Sequence, residues 1–578
     1  MTFAAEQVRR VIGGTMLSLL FFWGAVPAGA AQTGAAPETV AGLSAPEALR
    51  LGEAMYRKGI LPSGRQMKGM VQGDIEMDGA MSTCANCHMR SGMGSMEGGV
   101  LTPPTSGSKL YAPLTRQQDI PGPMMNRSMF NSPPRPAYTD ASLANALLYG
   151  VDPAGRRLRE TMPRYLLTED ETKILVFYLK QLSGSYSPGV DAEQIRFATI
   201  VTDQVSAEEK SAMLSPLQAF LKEEWNERLL VLGSQWNARW YGSGGGKPGD
   251  APALRKAVLD VWELKGPAST WDKQLETLYR KQPVFALLGG MTPGPWGPVH
   301  RFCEENRIPA IFPSTELPTV SETDWYTIYF SKGVYQEGET AAKYLSRVFE
   351  LPQDKRVVQV FRDNERGRAL ARGFADTWKQ LGKAPLSERL VPGAEKIGAA
   401  FWDRLSAAHP NAALVLWLAP EDLSGLGQLA AGPSRPSTLF FSSTLLGAAL
   451  GPLPDEVRDF SFITYPNRLP EEDQYARSLF TNWMKIKKIP ITHADLSSKS
   501  YFFTRLLSRT LLDMGTDYHR DFFLDLLDSV PDQTNSSLGY PRLSFGPGQR
   551  YASKGCYVVT LTKGEKPKLV RQSDWVIY

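Results

Sequence analysis

The sequence predicts a multidomain protein in which an all-α domain is followed by a two-lobed α/β domain with parallel sheets. With 578 residues, the chain is too long for one ordinary domain. Residues 44–183 are rich in Met, Gly and Pro and show helical patterns only near their two ends. From residue 193 to residue 578, apolar strand patterns alternate with amphipathic helices, which is typical of parallel sheets covered on both faces. The Ser-, Gly- and Pro-containing segment 184–192 is predicted to be a linker.

The N-terminus has the order of a secretory signal peptide. Two arginines precede an apolar run from Met16 to Val26, and the small residues Ala28–Ala30 follow. A membrane anchor is the alternative, but the run is shorter than the roughly 20 apolar residues that a span needs. We therefore expect residues 1–30 to be removed and residues 31–43 to form a flexible leader. The mature protein is then expected in the periplasm, with no transmembrane segment.

Composition and charge argue against several classes of protein. The net charge of +4 is small for this length and no basic run is interleaved with aromatic residues, so we expect no nucleic-acid partner. Four cysteines are too few for a disulfide scaffold. The sequence shows no Ser-His-Asp arrangement, phosphate loop or further metal cluster, so we expect that the protein is not an enzyme.

The first domain begins and ends with a capped helix. Ser44 and Glu47 form a capping-box pattern, with Pro46 in the first turn. Thr168 and Glu171 repeat the capping-box pattern before an apolar stripe. Two helices around an irregular middle provide a modest core, which a bound cofactor would complete.

The second domain shows eight apolar runs that predict strands. About 385 residues exceed a comfortable single core, so two lobes are expected. Helical patterns such as Glu337–Phe349 and Gly367–Leu381 lie between the runs. The predicted strands are Ile195–Val201, Arg228–Leu232, Val284–Leu288, Ile308–Phe312, Val357–Phe361, Leu414–Leu418, Leu439–Phe441 and Phe460–Tyr465.

The segment Cys84-Ala85-Asn86-Cys87-His88 carries the most specific chemistry in the sequence. In a Cys-x-x-Cys-His motif, the two thiols attach haem covalently and the histidine ligates its iron. A thioredoxin-like redox pair would need a βαβ context, and a zinc site would need two further ligands, which the first domain lacks. We therefore expect one covalent haem c on Cys84 and Cys87, with His88 as the proximal iron ligand.

The residues themselves favour a methionine as the second iron ligand. The other four histidines all lie in the second domain, and methionine is the remaining common haem ligand. Three methionines close to the motif, Met89, Met93 and Met96, are alternatives if the chain folds back onto the iron, but we expect them to pack in the core or at the haem edge.

At the end of the first domain, the run from Gly150 to Leu158 leads to Met162-Pro163-Arg164-Tyr165 and a capped final helix. This order resembles the Met-Pro loop of class I cytochromes c. This resemblance implies that Met162 is the distal ligand. Gly52 and Tyr56 likewise resemble the contact at which the first and last helices of that family cross.

Four segments of the second domain form a recognisable set: Phe285–Gly290, Arg307–Thr315, Gly338–Leu345 and the closing Ser544–Arg550. Together they resemble the type 1 periplasmic binding proteins, in the branch that binds branched-chain amino acids for ABC transporters. It implies two α/β lobes, joined by crossing segments, that close on a small molecule.

Ligands of such sheets meet the carboxyl ends of the strands. On this chain that position falls at Gly290, Met291 and Thr292, and again at Ser314 and Thr315. Their backbone N–H groups and hydroxyls would hold a carboxylate. The alternative is ordinary turn and capping chemistry, for which glycine, serine and threonine are equally suited.

Cys303 and Cys556 are the two remaining cysteines, and both lie in the second domain. An oxidising compartment permits a disulfide between them, and two buried free thiols are the alternative.

Two functions follow from these observations. The first is an exported monohaem cytochrome that transfers single electrons to or from a partner such as a dehydrogenase or oxidase, with the second domain binding a small molecule or the partner. The second is a periplasmic solute receptor of an ABC transporter in which the haem is a sensor or a structural element.

Overall fold

The structure is a computed structural model. It describes residues 39–97, 100–114, 133–229, 231, 254–348, 356–383, 386–432, 434–447, 450, 453–472, 474–530 and 539–577. The predicted signal peptide, residues 1–30, and most of the predicted leader lie outside the described residues. None of the helices within the described ranges combines the length and the apolar character needed to cross a membrane.

The N-terminal block, residues 39–183, combines helices with short strands. Its helices are α1 (Ala45–Lys58), α2 (Cys84–His88), α3 (Gly107–Leu110), α4 (Asp140–Tyr149) and α5 (Glu169–Gln181). Its strands are β1 (Thr39–Val40), β2 (Leu43–Ser44), β3 (Lys68–Val71), β4 (Ile75–Asp78), β5 (Ser95–Glu97), β6 (Val100–Thr102) and β7 (Arg164–Tyr165). The prediction of an all-α domain is therefore not met, because the irregular middle folds back on itself in short antiparallel pairs and a three-stranded sheet.

Helices α1 and α5 cross at a glycine. A Cβ atom at Gly52 would lie 2.4 Å from the Cβ of Tyr178 and 3.0 Å from the carbonyl oxygen of Ile174, so only glycine fits there. Beside this crossing, the rings of Tyr56 and Tyr178 lie 5.5 Å apart. The helix-crossing contact that the sequence suggested for Gly52 and Tyr56 is thus present in the structure.

Lobe 1 has a five-stranded parallel sheet in the order β12-β11-β10-β8-β9. The strands are β8 (Gln194–Thr202), β9 (Lys256–Leu264), β10 (Ala286–Leu288), β11 (Ala310–Ile311) and β12 (Thr327–Ile328). The helices are α6 (Ala207–Ala219), α7 (Trp271–Lys281), α8 (Gly297–Glu305), and, from later in the chain, α13 (Gln474–Ile486), α14 (Ala494–Met514) and α15 (Arg520–Asp528). Two buried hydrophobic clusters enclose the sheet.

Lobe 2 has an eight-stranded sheet in the order β14-β13-β15-β16-β17-β18-β19, with β20 paired to β18. The strands are β13 (Val357–Arg362), β14 (Ser387–Val391), β15 (Ala413–Trp417), β16 (Thr438–Ser442), β17 (Ser461–Tyr465), β18 (Gly555–Leu561), β19 (Leu569–Arg571) and β20 (Val576–Ile577). The helices are α9 (Val334–Val348), α10 (Glu365–Gln380), α11 (Ala399–Ala408) and α12 (Ser443–Leu446). The first five strands of this order are parallel, and β18 and the strands that pair with it are antiparallel.

The chain passes between the lobes after β12, after β17 and before β18. The two lobes therefore share no continuous sheet, and a cleft lies where these crossing segments meet. The fold confirms the predicted two-lobed α/β architecture with parallel sheets. One predicted strand, Arg228–Leu232, is wrong over the part that the structure describes, because residue 228 lies in a turn and residues 229 and 231 are helical. Residues 230 and 232 lie outside the described residues, and β9 (Lys256–Leu264) pairs with β8.

Candidate functional site

The carboxyl ends of β10 and β11 form one wall of the cleft. Met291, after β10, pairs with Ser314, after β11, and the Ser314 N–H donates to the carbonyl of Gly290 at 2.8 Å. Met291, Thr292, Ser314 and Thr315 line a cavity of about 590 Å³. The structure thus brings four of the five predicted binding residues to one cavity, with Gly290 directly behind them.

Gly290 is required by the backbone at this point. Its φ is +102°, and a Cβ atom would lie 2.6 Å from the indole ring of Trp296. Trp296 is fully buried in lobe 1 and forms the support beneath this turn. The glycine therefore sets the path of the loop that presents Met291 and Thr292 to the cleft.

Lobe 2 contributes the opposite wall. Ser443 and Thr444, at the start of α12, line a second cavity of about 460 Å³ together with Tyr465. Thr315 and Tyr540 line both cavities, so the two form one continuous cleft. Hydroxyl groups from both lobes therefore face the same space.

Two ion pairs lie in the cleft, and each balances its own charge. Lys499 and Asp495 lie one turn apart on α14, with Nζ and Oδ2 2.7 Å apart. Burial opposes the charge of Lys499, but Asp495 and Tyr540 outweigh it and raise the pKa of the amine. Arg366 of lobe 2 meets Glu316 of lobe 1 at 2.7 Å and so bridges the cleft. Sequence reasoning missed these residues because they share no motif and come from distant segments.

A buried carboxylate lies behind the lobe 2 wall. Glu337 on α9 is fully buried and accepts hydrogen bonds from the Ser443 N–H at 3.0 Å and the Thr464 hydroxyl at 2.9 Å. Burial raises its pKa to about 7, although these hydrogen bonds act in the opposite direction. Glu337 thereby holds the Ser443 backbone that faces the ligand space.

The Cys-x-x-Cys-His motif forms the short helix α2 in the N-terminal block. Thr83 caps it, and Cys84 is buried whereas Cys87 is exposed. The Nδ1 atom of His88 lies 2.7 Å from the carbonyl oxygen of Pro103. Because a carbonyl only accepts, Nδ1 carries the proton and Nε2 keeps its lone pair. Burial lowers the pKa of His88 to about 4, so the ring is neutral at pH 7.

Met162 and Met93 pack against different hydrophobic clusters. Met162 is partly buried and packs against the hydrophobic cluster that contains Cys84. Met93 is fully buried, but in the hydrophobic cluster of lobe 1 rather than in the core of its own block. The loop after His88 therefore reaches into lobe 1.

Cys303 and Cys556 are both buried free thiols. Cys303 lies on α8 in lobe 1, and Cys556 lies on β18 in lobe 2, beside Gln336. The two thiols are not bonded to each other in the structure.

A comparison with protein families matches residues 254–566 to the periplasmic binding protein family. The match covers more than half of the 578 residues, and the chain belongs to this family. A comparison with curated proteins finds no match.

The fold is similar to that of several solved structures. A fatty acid ABC transporter substrate-binding protein from Thermomonospora curvata is 16% identical, with a TM-score of 0.45 over 68% of this chain and 95% of that one. An ABC transporter substrate-binding protein from Sphaerobacter thermophilus is 13% identical, with a TM-score of 0.45 over 67% and 98%. A putative branched-chain amino acid ABC transporter structure from Rhodospirillum rubrum is 14% identical, with a TM-score of 0.40 over 67% and 100%.

Family membership corrects the first of the two functional expectations. The expectation of a one-electron carrier was wrong, because it gave a five-residue motif more weight than the fold that makes up most of the chain. The expected dehydrogenase or oxidase partner rests on the same interpretation and is withdrawn with it. Solute-binding proteins of this kind are generally not enzymes, in agreement with the expectation that this chain is not one.

Proposed function

We propose that this protein is a periplasmic solute-binding receptor of an ABC transporter. The observation that carries the proposal is the cleft, in which Thr292, Ser314 and Thr315 of lobe 1 face Ser443 and Thr444 of lobe 2. A small molecule held by both walls would stabilise the closed arrangement of the lobes. Export would use the signal peptide predicted at residues 1–30.

The chemistry of the cleft favours a small organic carboxylate as the ligand. The hydroxyls of Thr292 and Ser314 lie at the ends of β10 and β11 and line the cavity, and hydroxyl donors of this kind bind a carboxylate well. The two ion pairs in the cleft, Lys499 with Asp495 and Arg366 with Glu316, are each already balanced. A ligand therefore needs no second charge to balance either pair.

Replacing Ser314 with alanine tests this assignment. Its hydroxyl forms no hydrogen bond to another residue within the described ranges, so the substitution leaves the loop intact and removes one donor. We expect a ligand to bind about tenfold more weakly, the usual effect of losing a hydrogen bond to a charged group. The measurement is thermal unfolding of the full chain with leucine, benzoate and octanoate.

Ser406→Ala, on α11 and outside both cavities, serves as the matched control and should bind like the wild type. If no compound stabilises the wild type, or if Ser314→Ala is stabilised as much as the control, the cleft is not the binding site for this class of ligand.

We further infer that the N-terminal block carries one covalent haem c on Cys84 and Cys87, with His88 and Met162 as iron ligands. The support is the His88 Nδ1 hydrogen bond to Pro103, which leaves Nε2 free to ligate. The helix crossing at Gly52 adds to the resemblance to class I cytochromes c. On this proposal residues 44–183 form a cytochrome c domain, and the haem completes a core that is otherwise small.

Replacing both Cys84 and Cys87 with serine is expected to abolish covalent haem attachment. After acid-acetone extraction the visible absorption should stay with the wild-type protein and be lost from the double variant, because serine forms no thioether. Cys303→Ala removes a thiol from lobe 1 and should keep the colour. A wild-type protein that is colourless when expressed with a haem-attachment system would contradict the inference.

A further inference from the structure

The loop after His88 is fastened to lobe 1 by buried contacts. The Ser91 N–H donates to the Asp525 carboxylate on α15 at 2.9 Å, and both residues are buried. Met93, two residues on, packs in the hydrophobic cluster of lobe 1. Nearby, Arg57 of α1 pairs with Asp521 at 2.5 Å. Separation of the block from lobe 1 would leave these charges unpaired, which is costly in a buried setting.

A tryptophan ring contacted by two arginines adds to the contact between the N-terminal block and lobe 1. The guanidinium of Arg90 lies 4.0 Å from the centroid of the Trp325 ring, and that of Arg550 lies 4.5 Å from it. Arg550 is held in turn by Asp528 of α15 at 2.5 Å. We call Arg90, Trp325, Arg550 and Asp528 the Trp325 clamp. Because Arg90 is two residues from His88, the clamp connects the haem-attachment motif to lobe 1.

Two short segments lead from the clamp to the ligand cleft. Trp325 is followed by Tyr326 and β12, and the next residues, Tyr329, Phe330 and Ser331, line the first cavity. Arg550 is followed by Tyr551, whose ring stacks on that of Tyr329 at 5.9 Å. These two segments form a continuous route of covalent connections and packed rings between the cleft and the clamp.

We propose that the Trp325 clamp couples the ligand cleft to the loop from His88 to Gly94, so that opening or closing of the lobes changes that loop. The proposal rests on the proposed function, because solute binding is what would move the lobes. An equilibrium coupling acts equally in both directions, so a change in the loop must also change the cleft. The conformation of the loop after His88 would then depend on whether the cleft is open or closed.

Hydrogen-deuterium exchange on the full chain tests whether a change in the loop affects the cleft. Arg90→Gln removes the cation from the Trp325 ring, and we expect exchange at residues 329–331, which line the cavity, to become about fivefold faster. Arg50→Gln is the matched control, because Arg50 is exposed on α1 and pairs with Glu47 on the same helix. Unchanged exchange at residues 329–331 would contradict the coupling.

A second exchange experiment perturbs the cleft and measures the effect on the loop, with a variant that should fold like the wild type. Arg366 is about half exposed, so Arg366→Gln removes only the bridge to Glu316. We expect the lobes to separate more often and exchange at residues 89–94 to become about fivefold faster. Arg372→Gln, on the same helix and paired with Asp376 one turn along it, is the control.

Faster exchange at residues 89–94 in Arg366→Gln but not in Arg372→Gln supports the proposal, even if Arg90→Gln fails to fold. Faster exchange confined to the cleft residues 314–316 overturns it. Neither experiment contains a ligand, so failure of the coupling leaves the proposed solute binding untouched, and failure to find a ligand leaves the coupling result valid.

Discussion

Replacing Gly373 with valine is expected to destabilise lobe 2 strongly. Helices α9 and α10 cross with their backbones in contact: a Cβ atom at Gly373 would lie 2.1 Å from the carbonyl oxygen of Tyr335, and one at Gly338 would lie 2.2 Å from that of Leu370. Backbone atoms cannot rotate away as a side chain does, so a valine forces the two helices apart. We expect the free energy of unfolding to fall by at least about 3 kcal/mol, the upper end of overpacking costs.

The measurement is urea unfolding followed by circular dichroism. The two helices cover one face of the lobe 2 sheet and bury a cluster that includes Phe374 and Trp417, so their separation affects the whole lobe. Gly393→Val is the matched control, because a Cβ atom there meets nothing within 4 Å. Equal midpoints for the two variants would show that the crossing tolerates a side chain.

The stability of lobe 2 is expected to fall as the pH rises from about 5 to about 8. Glu337 has a pKa of about 7 in the folded protein, against an ordinary value of 4.5, because burial disfavours its ionised form. Between these values the folded protein holds a proton that the unfolded chain has lost. The free energy of unfolding therefore decreases with increasing pH across this window, by about 3 kcal/mol in total, and levels off above it.

Glu337→Gln should reduce this pH dependence and make lobe 2 more stable than the wild type at pH 8. The amide stays neutral, and its oxygen still accepts from the Ser443 N–H and the Thr464 hydroxyl. Burial also raises the pKa of Asp525 and Asp528, so part of the slope should remain.

Urea unfolding at pH 5, 6.5 and 8 measures the effect. The exposed Glu421→Gln variant should keep the wild-type slope. Equal slopes in Glu337→Gln and Glu421→Gln would show that Glu337 does not titrate in this window.

The architecture of both lobes was predictable because parallel strands buried on both faces have continuous apolar sequences. Ala413–Trp417 and Thr438–Ser442 are buried throughout and were found within one residue of their bounds. Strand β9 was missed because it lies at the sheet edge, where charged residues such as Lys256 and Asp260 interrupt the apolar pattern. The apolar run at 228–232 predicted a strand where β9 should have been predicted.

Only one wall of the cleft was predictable. Residues that follow adjacent parallel strands, such as Thr292 and Ser314, must lie at the same edge of the sheet, so chain order alone brings them together. Glu316, Arg366 and Lys499 meet only because the crossing segments set one lobe against the other. No local pattern in the sequence indicates that arrangement.

The function of the chain was harder to predict than its fold. The motif at Cys84–His88 is short and chemically specific, whereas the binding-protein signature is spread over residues 254–566. The motif bears on one possible cofactor in the N-terminal block, whereas the family match covers more than half of the chain.

Ligand-dependent hydrogen exchange of the full-length protein tests the central claim most directly. The compound to use is the one among leucine, benzoate and octanoate that raises the unfolding temperature most. Binding in the cleft predicts slower exchange in two places at once: residues 291–292 and 314–315 of lobe 1, and residues 443–444 of lobe 2. Protection confined to the N-terminal block, or no protection with any of the three compounds, would contradict the assignment of this chain as a receptor for small carboxylates.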